Sequence, residues 1–320
     1  MTMSSLIPAL PVRRRITVAR AISAFLIRHS FWGAHRMRSA IARVLMPRPR
    51  GPLIVRTTFG CSVVVDASLG RGVEHEVYYH GTYEAGTLRV LETVLRPGDI
   101  FLDIGANIGL MTLAAARVVG PQGRVYAFEP VSSTLALLKR NLELNDFQNV
   151  HPQPTALGSA RETRPIYEHL EVNRGAASLV PSGASPTGVF VPVTTLDSFV
   201  RAARLEGRIR AVKIDVEGWE AEVLAGGRDT FAAPAGPAVI VEYSTNVQLA
   251  KGVHTDVYDF LASVSDYRVF CLKRGKESVS RIREIRGRGD LPAEDNLICL
   301  RPVHLQEANI RALLAGREVE

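Results

Sequence analysis

Short apolar runs alternate with helical patterns through the second part of the chain. The runs predict strands at Ile100–Ile104, Arg124–Phe128, Val150–Leu157, Ala211–Asp215 and Ala238–Glu242, and near Tyr267–Leu272 and Leu297–Arg301. Apolar residues at helical spacing predict helices at Leu110–Val118, Ser132–Asn145, Trp219–Ala225 and from Thr255 onward. Strands that alternate with helices form a mostly parallel, doubly wound sheet. The sequence therefore predicts an α/β fold that binds its ligands at the carboxyl ends of the strands.

The residues before this pattern predict a smaller extension. Leu53–Thr58 and Ser62–Asp66 have strand character around a Phe-Gly turn, which is typical of a hairpin. Helices are expected at Val73–Tyr79 and Thr87–Leu95. A stretch rich in Gly, Pro and Ser, Arg164–Val193, interrupts the alternation and is expected to be an insertion that covers a substrate. We divide the chain into a basic amphipathic arm (1–50), a hairpin and helical lead-in (51–96), a ligand-binding domain (97–304) and a helical tail (305–320).

Composition narrows the class of protein without changing the fold. The chain has 320 residues, of which 46% are hydrophobic and 22% charged, as in folded globular proteins. Its three cysteines, Cys61, Cys271 and Cys299, are widely spaced, which favours neither a disulfide framework nor a zinc site. We therefore expect a reducing, cytoplasmic compartment.

The positive charge is concentrated at one end of the chain. Residues 1–50 contain ten arginines, no lysine and no acidic residue, so the net charge of +7 leaves −3 for the remainder. The body is therefore not expected to bind nucleic acid. Apolar residues of the arm recur at helical spacing, but no run reaches the roughly 18–20 residues of a membrane span. The arm is expected either to rest on the inner face of a membrane or to pack on the body or a partner.

The densest chemical signal is a glycine turn after the first strand of the alternating pattern. The turn contains Gly105, Ala106, Asn107 and Gly109, and Asp103 precedes it at the strand end. A dinucleotide fingerprint would place a pyrophosphate here, on the helix N-terminus. The carboxylate of Asp103 would repel a pyrophosphate but suits a cation, such as the ammonium or sulfonium of S-adenosylmethionine.

A second acidic turn follows the next strand. Glu129, with Pro130 after it, is placed to accept hydrogen bonds from both hydroxyls of a ribose, as acids after the second strand do in such folds. Two acids and an asparagine in this register favour a nucleoside ligand over a generic loop.

Another cluster lies at the ends of two later strands. Asp215 ends one strand and Glu242 the next; Glu217 follows in the turn, and Lys213 shares a strand face with Asp215. A carboxylate there could take the proton of an acceptor hydroxyl, or Asp215 and Glu242 could bind a divalent cation. Asp215 could instead cap the following helix, and Lys213 could form a structural ion pair. Glu220 and Glu222 are expected to face solvent.

Taken together, these motifs resemble the FkbM-type methyltransferases. The resemblance spans about residues 84–300 and rests on Phe101–Gly109, Phe128–Pro130, Ala156–Gly158, Thr195–Asp197 and Lys213–Gly218. It implies a class I S-adenosylmethionine-dependent methyltransferase fold. By position, Asp103, Gly105, Asn107 and Glu129 would bind the cofactor, and Asp215 and Glu217 would line the active site.

The resemblance leaves the adenine and methionine contacts less defined. The usual acid after the third strand is absent from Thr155–Ser159, so adenine is expected to meet the backbone of Ala156 and Leu157, or Ser159. Glu84 or Tyr83 is expected to close over the methionine end of the cofactor.

The expected activity is O-methylation of a sugar or glycan, or of a secondary metabolite. An NAD-dependent oxidoreductase on the same sheet is one alternative, and a non-catalytic scaffold that binds a membrane or partner through its arm is another. The acceptor and the oligomeric state are not specified by the sequence.

Overall fold

The computed structural model describes residues 12–28, 34–68, 72–167, 177–180, 188–245 and 257–316. The first described elements form a helical hairpin, α1 (Val12–Arg28) and α2 (Ala34–Leu45), whose two helices pack against each other. The lead-in then follows the prediction: strands β1 (Leu53–Arg56) and β2 (Ser62–Val65) pair as an antiparallel hairpin, and helices α3 (Val73–His80) and α4 (Ala85–Val94) come next. In the described part of the chain, no helix is both long and apolar enough to cross a membrane.

A central eight-stranded sheet carries the remaining elements. Its strands are β3 (Ile100–Ile104), β4 (Arg124–Phe128), β5 (Val150–Gln153), β9 (Ile209–Ile214), β10 (Ala238–Ser244), β11 (Arg268–Leu272), β12 (Ile282–Ile285) and β13 (Glu294–Leu300). They lie in the order β12-β11-β13-β10-β9-β3-β4-β5. The five strands from β10 to β5 pair in parallel, whereas β13, β11 and β12 pair antiparallel with their neighbours. The predicted mostly parallel α/β fold is confirmed.

Helices cover both faces of this sheet. They are α5 (Leu110–Val119), α6 (Ser132–Glu143), α7 (Leu196–Ala203), α8 (Glu220–Ala225), α9 (Arg228–Ala232), α10 (Val257–Val264), α11 (Pro302–Leu305) and α12 (Ala308–Ala315). Successive side chains of β3 enter two different cores: Phe101 packs with α4 and α5, whereas Leu102 packs with α7, α8 and α10. A fully buried strand of this kind has apolar residues on both faces, which is why its sequence reads as a continuous apolar run.

The order of the strands reverses between β3 and β9. From β3 the chain adds β4 and β5 on one side, and it then returns to place β9 and β10 on the other. A reversal of this kind opens a crevice at the carboxyl ends of the two strands, where open α/β sheets bind ligands.

One predicted strand is divided in the structure. The expected strand Val150–Leu157 forms β5 at the edge of the main sheet and a separate short strand, β6 (Ala156–Leu157). Pro154 lies between them and has no amide N–H to donate, so the pairing with β4 ends before it. β6 instead pairs with β8 (Phe190–Thr194), which also pairs with β7 (Glu162–Pro165). The described part of the predicted insertion thus forms a small second sheet.

The arm is anchored to the body through one face. Ser23 Oγ lies 3.0 Å from His80 Nδ1, and Arg20 donates to the carbonyl of Tyr78 at 3.0 Å. Arg38, which is buried, pairs with Glu76 at 3.4 Å. The arm therefore packs on the body through this face, which is one of the alternatives predicted for it.

Candidate functional site

A cavity opens at the carboxyl ends of β3, β4, β9 and β10. It encloses about 1090 Å³ of space between the protein atoms, the open solvent at its mouth included. Twelve of the fifteen predicted site residues line it: Asp103, Gly105, Ala106, Asn107, Glu129, Pro130, Ala156, Leu157, Lys213, Asp215, Glu217 and Glu242. The structure therefore brings together residues from five separate parts of the sequence.

The glycine turn lies against the loop that carries Asp215. Gly105 adopts a φ of +84°, and a Cβ at this position would lie 1.8 Å from the carbonyl oxygen of Asp215. The amide of Asp215 also donates to the carbonyl of Ile104 at 2.9 Å. Glycine is therefore required at position 105 both for backbone conformation and for this close approach.

Glu129 holds the tip of β4 to the same turn. Its Oε2 accepts a hydrogen bond from the amide of Asn107 at 3.0 Å, and its Oε1 accepts one from the amide of Val131 at 2.9 Å. Asn107 is in the left-handed conformation, with φ 51°, and its Oδ1 accepts a bond from the amide of Ile108. These two bonds fix the carboxylate of Glu129 in the wall of the cavity, beside the glycine turn.

Asp103 presents a buried oxygen that is not satisfied by the protein. Thr112 Oγ1 donates to Asp103 Oδ2 at 2.5 Å, whereas Oδ1 has no hydrogen-bond partner among the described residues. Burial raises the pKa of Asp103, and the ammonium of Lys213 on the neighbouring strand partly offsets this. A buried acceptor facing a cavity fits a cationic donor, which is the chemistry of the ammonium group of S-adenosylmethionine.

The pairing register of β3, β9 and β10 places polar side chains in a row across these three strands. Asp103 lies opposite Lys213, and Lys213 lies opposite Ile240, two residues before Glu242. Lys213 Nζ donates to Asp215 Oδ2 at 2.6 Å. Burial would lower the pKa of Lys213, but Asp215 and the other nearby carboxylates outweigh it and raise that pKa. Lys213 therefore remains charged next to the cavity.

Lys276 extends this row beyond the cavity wall. Its Nζ lies 2.7 Å from Glu242 Oε1 and 3.2 Å from Glu84 Oε1. Glu84 is completely buried, and its Oε2 accepts a hydrogen bond from Asn296 Nδ2 at 2.9 Å. Glu84 therefore lies behind the cavity wall and is linked to Glu242 through Lys276. Of the two residues expected to close over the methionine end of the cofactor, Tyr83 lines the cavity and Glu84 does not.

Three carboxyl groups of the cavity differ in their protonation. Burial alone would raise the pKa of Asp215, but Lys213 and Lys276 outweigh it and hold that pKa below its usual value. The charge of Asp215, followed by burial, raises the pKa of Glu242 to about 9, and the two carboxyl groups share a hydrogen bond. Glu217 lies at the mouth, where partial burial and the charge of Asp215 raise its pKa to about 7. At neutral pH, Asp215 is ionised, Glu242 holds a proton, and Glu217 titrates.

Two other predicted contacts lie away from the cavity surface. Gly109 is the N-terminal cap of α5 in the left-handed conformation, with its Cα facing Leu138. Ser159 is exposed and donates to Glu222, so Thr155, Ala156 and Leu157 form this wall without it.

Two interpretations of the second acidic turn need correction. Asp215 does not cap α8, which begins five residues later; its side chain binds Lys213. Glu220, expected to face solvent, is buried, because its Oε1 accepts bonds from the amides of Val216 at 3.1 Å and Gly218 at 2.9 Å. Glu220 thereby fixes the loop that presents Glu217.

Two residues of this network, Lys276 and Asn296, were not predicted from the sequence. Lys276 is one of several basic residues in a turn after β11, and its burial depends on the packing of that turn against the start of α4: the amide of Gly86 donates to the carbonyl of Lys276 at 2.9 Å. Asn296 is a polar residue inside β13 that faces Glu84 and Thr87. A buried asparagine in an apolar strand is the pattern that could have indicated it.

The insertion supplies an apolar wall of the cavity. Ile166, Ala177 and Leu179 line it, and Ser178 Oγ donates to the carbonyl of Glu217 at 2.8 Å. Trp219 lines the same region, with the guanidinium of Arg164 4.7 Å from its ring. The rest of the insertion lies outside the described residues.

The donor set does not fit the divalent cation considered for Asp215 and Glu242. Each carboxyl group already binds a lysine ammonium, at 2.6 Å and 2.7 Å, and the two share a hydrogen bond. Within the described residues, no group of three or more His, Cys, Asp or Glu is arranged to hold a metal ion. A divalent cation would have to displace Lys213 and Lys276 from their partners.

Comparisons with known proteins identify the same motifs. The model of the methyltransferase FkbM domain matches residues 103–269, just over half of the chain, which confirms the resemblance. Methyltransferase sdnD of Sordaria araneosa is 31% identical over 41% of this chain and 61% of its own length. The 31-O-demethyl-FK506 methyltransferase FkbM of Streptomyces tacrolimicus is 30% identical over 42% of this chain and 62% of its own.

The chain spans about three fifths of the length of the curated relatives it matches. Among solved structures, a SAM-dependent O-methyltransferase from Thermotoga maritima aligns over 80% of this chain and 94% of that one, at 14% identity and a TM-score of 0.37.

Proposed function

We propose that this chain, which belongs to the FkbM methyltransferase family, uses S-adenosylmethionine to methylate a hydroxyl oxygen of a small molecule or glycan. The observation that carries the proposal is the row formed by Asp103, Lys213, Asp215 and Glu242 beside the glycine turn. One end of the row suits a cationic nucleoside, and the other presents carboxyl groups to an acceptor.

The cofactor half of the cavity is formed by the glycine turn and the tip of β4. Asp103 Oδ1 would accept from the ammonium group, and Glu129 would accept from the ribose hydroxyls. Thr155, Ala156 and Leu157 would form the wall against the adenine. Bound there, S-adenosylmethionine supplies an electrophilic methyl group.

The acceptor half is formed by Asp215, Glu242 and Glu217. Asp215 stays ionised and oriented because Lys213 holds one oxygen, so it is suited to accept a hydrogen bond and to position a hydroxyl. A general base works best when its pKa lies near the operating pH. With a pKa of about 7 at the open mouth, Glu217 fits that role and can return the proton to solvent.

An oxygen acceptor agrees with one relative and with the shape of the site. The Streptomyces tacrolimicus protein is named for methylating 31-O-demethyl-FK506. Ile166, Ala177 and Leu179 give the cavity an apolar wall next to the carboxyl groups. A sugar or a secondary metabolite presents this combination of hydroxyls and apolar faces.

The test is transfer of a labelled methyl group from S-adenosylmethionine to a panel of hydroxylated sugars, glycans and secondary metabolites. We expect a labelled methyl ether from one class. Asp215→Asn should lower kcat by at least about 100-fold, because misplacing the acceptor hydroxyl costs that much. The control Glu143→Gln, an exposed carboxyl of α6, should leave kcat unchanged.

The pH profile separates the roles of the carboxyl groups. With Glu217 as base, kcat/KM rises with pH and levels off above about 7, because the group must lose its proton to act. Glu217→Gln should lower kcat by about 100-fold and abolish this rise. Transfer of the label to nitrogen or carbon acceptors alone would contradict the hydroxyl assignment, and an unchanged profile in Glu217→Gln would contradict its role as base.

A further inference from the structure

The outer face of the helical hairpin α1–α2 is apolar and exposed. Its inner face is buried, and Ala19, Leu26, Ala42 and Leu45 are each less than 10% exposed. On the outer face, however, the exposed fractions are 39% for Val18, 59% for Phe25, 41% for Met37 and 53% for Val44. Half of the large hydrophobic side chains exposed in the described part of the chain are these four. We call these four residues the outer patch.

The spacing places the exposed apolar side chains of each helix on one face. Val18 and Phe25 are seven residues apart, as are Met37 and Val44, so each pair shares one face of its helix. Ala21 and Ala40, both exposed, lie three residues after Val18 and Met37 and belong to the same faces. The two helices pack against each other, and both of these faces lie away from their buried sides.

The segment of the chain that carries the outer patch has only positive charges. The first 50 residues carry ten arginines and no acid, in contrast to the net −3 of the remainder. Arg36 lies next to Met37 and is exposed, and Arg48 is exposed beyond the end of α2. Arg38, by comparison, is buried against Glu76 and serves the body. An apolar face bordered by arginines complements a surface that is anionic outside and apolar beneath.

We propose that the outer patch docks on an anionic lipid bilayer, with the four apolar side chains entering the interface and the arginines meeting the phosphate headgroups. A nucleic acid would use the arginines but offers nothing to cover Phe25 and Val44. The inner face keeps the hairpin attached through Ser23 and Arg20, so docking needs no separation from the body. This proposal does not depend on the methyl-transfer reaction.

The test is co-sedimentation of the whole chain with vesicles of 30% phosphatidylglycerol in phosphatidylcholine, and with pure phosphatidylcholine. We expect binding to the anionic vesicles that weakens as salt is raised from 50 to 500 mM, and at least tenfold weaker binding to pure phosphatidylcholine. The double variant Phe25→Ser, Val44→Ser should weaken anionic binding at least tenfold, because burying each side chain contributes more than a tenfold factor.

A matched double variant controls for the loss of exposed apolar surface. Phe190 and Val303 are 63% and 57% exposed and lie outside the hairpin, so Phe190→Ser, Val303→Ser should bind vesicles as the wild type does. Arg36→Gln should reduce binding, whereas Arg140→Gln, an exposed arginine of α6, should not. Thermal unfolding followed by circular dichroism checks that every variant is folded.

Three results would overturn the proposal. They are equal binding to both vesicle types, equal loss in the Phe190→Ser, Val303→Ser control, and absence of vesicle binding in a folded wild type. Self-association that is seen by sedimentation velocity without lipid and is lost in Phe25→Ser, Val44→Ser would assign the outer patch to a second copy of the chain instead.

Discussion

The proton held by Glu242 makes the stability of the protein depend on pH in a defined window. Its pKa is raised from 4.5 in the unfolded chain to about 9 in the folded one, mainly by the charge of Asp215. For an acid whose folded pKa is raised, the unfolded state loses its proton first. The free energy of unfolding therefore falls as pH rises from the pKa of Glu242 in the unfolded chain to its pKa in the folded chain.

The size of this effect follows from the same two values. Each pH unit inside this window lowers the free energy of unfolding by about 1.4 kcal/mol, and the slope flattens as pH approaches 9. The loss of unfolding free energy between pH 7 and pH 9 is therefore about 2 kcal/mol. That is a large part of a typical unfolding free energy of about 5–15 kcal/mol. Glu217 and Glu277, whose pKa values are about 7, have passed most of their own windows by then.

The assay is urea unfolding of the ligand-free protein at pH 7, 8 and 9. Glu242→Gln cannot ionise but keeps a donor for Asp215 and an acceptor for Lys276, so its free energy of unfolding should fall by about 2 kcal/mol less than that of the wild type over this range. Cysteine ionisation near pH 9 affects both proteins and cancels. Glu92→Gln, an exposed carboxyl of α4, should follow the wild type. Parallel pH dependence in wild type and Glu242→Gln would refute the shared proton.

Two further predictions concern contacts that form or support the wall of the cavity. Lys276→Met should lower the free energy of unfolding, measured with urea, by about 3–5 kcal/mol, because it leaves the charge of buried Glu84 without its partner. The double variant Lys276→Met, Glu84→Gln should recover most of this loss. Failure of the double variant to recover it would contradict the pairing. Gly105→Ala should cost more than Gly98→Ala, which shares its positive φ but has open space within 4 Å among the described residues. Gly98→Ala should cost about 1–2 kcal/mol from conformation alone, and Gly105→Ala should add the clash with Asp215; equal melting temperatures would contradict the close approach.

The positions of the site residues could be predicted where strand periodicity decides them. Asp103, Asp215 and Glu242 each end an apolar run of a parallel strand, and such ends meet at one edge of a sheet. The alternation of side chains also placed Lys213 on the face of Asp215. These are short-range features of the chain, and the structure keeps all four residues together.

The remaining contacts depend on distant parts of the chain. Glu84 and Lys276 are 192 positions apart and meet because α4 packs on the turn after β11. Glu220 was predicted to face solvent because helical periodicity does not show that the loop amides of Val216 and Gly218 need its carboxylate as an acceptor. The division of β5 from β6 at Pro154 required knowing that β8 offers a second partner. Local patterns do not encode such tertiary pairing.

The most direct test of the account is calorimetric titration of the purified chain with S-adenosylmethionine and, separately, with NAD. We predict saturable binding of one S-adenosylmethionine per chain, weakened at least tenfold in Asp103→Asn, and no saturable binding of NAD, because Asp103 offers a buried acceptor to a cation and repels a pyrophosphate. Saturable binding of NAD by a folded chain that does not bind S-adenosylmethionine would contradict the account.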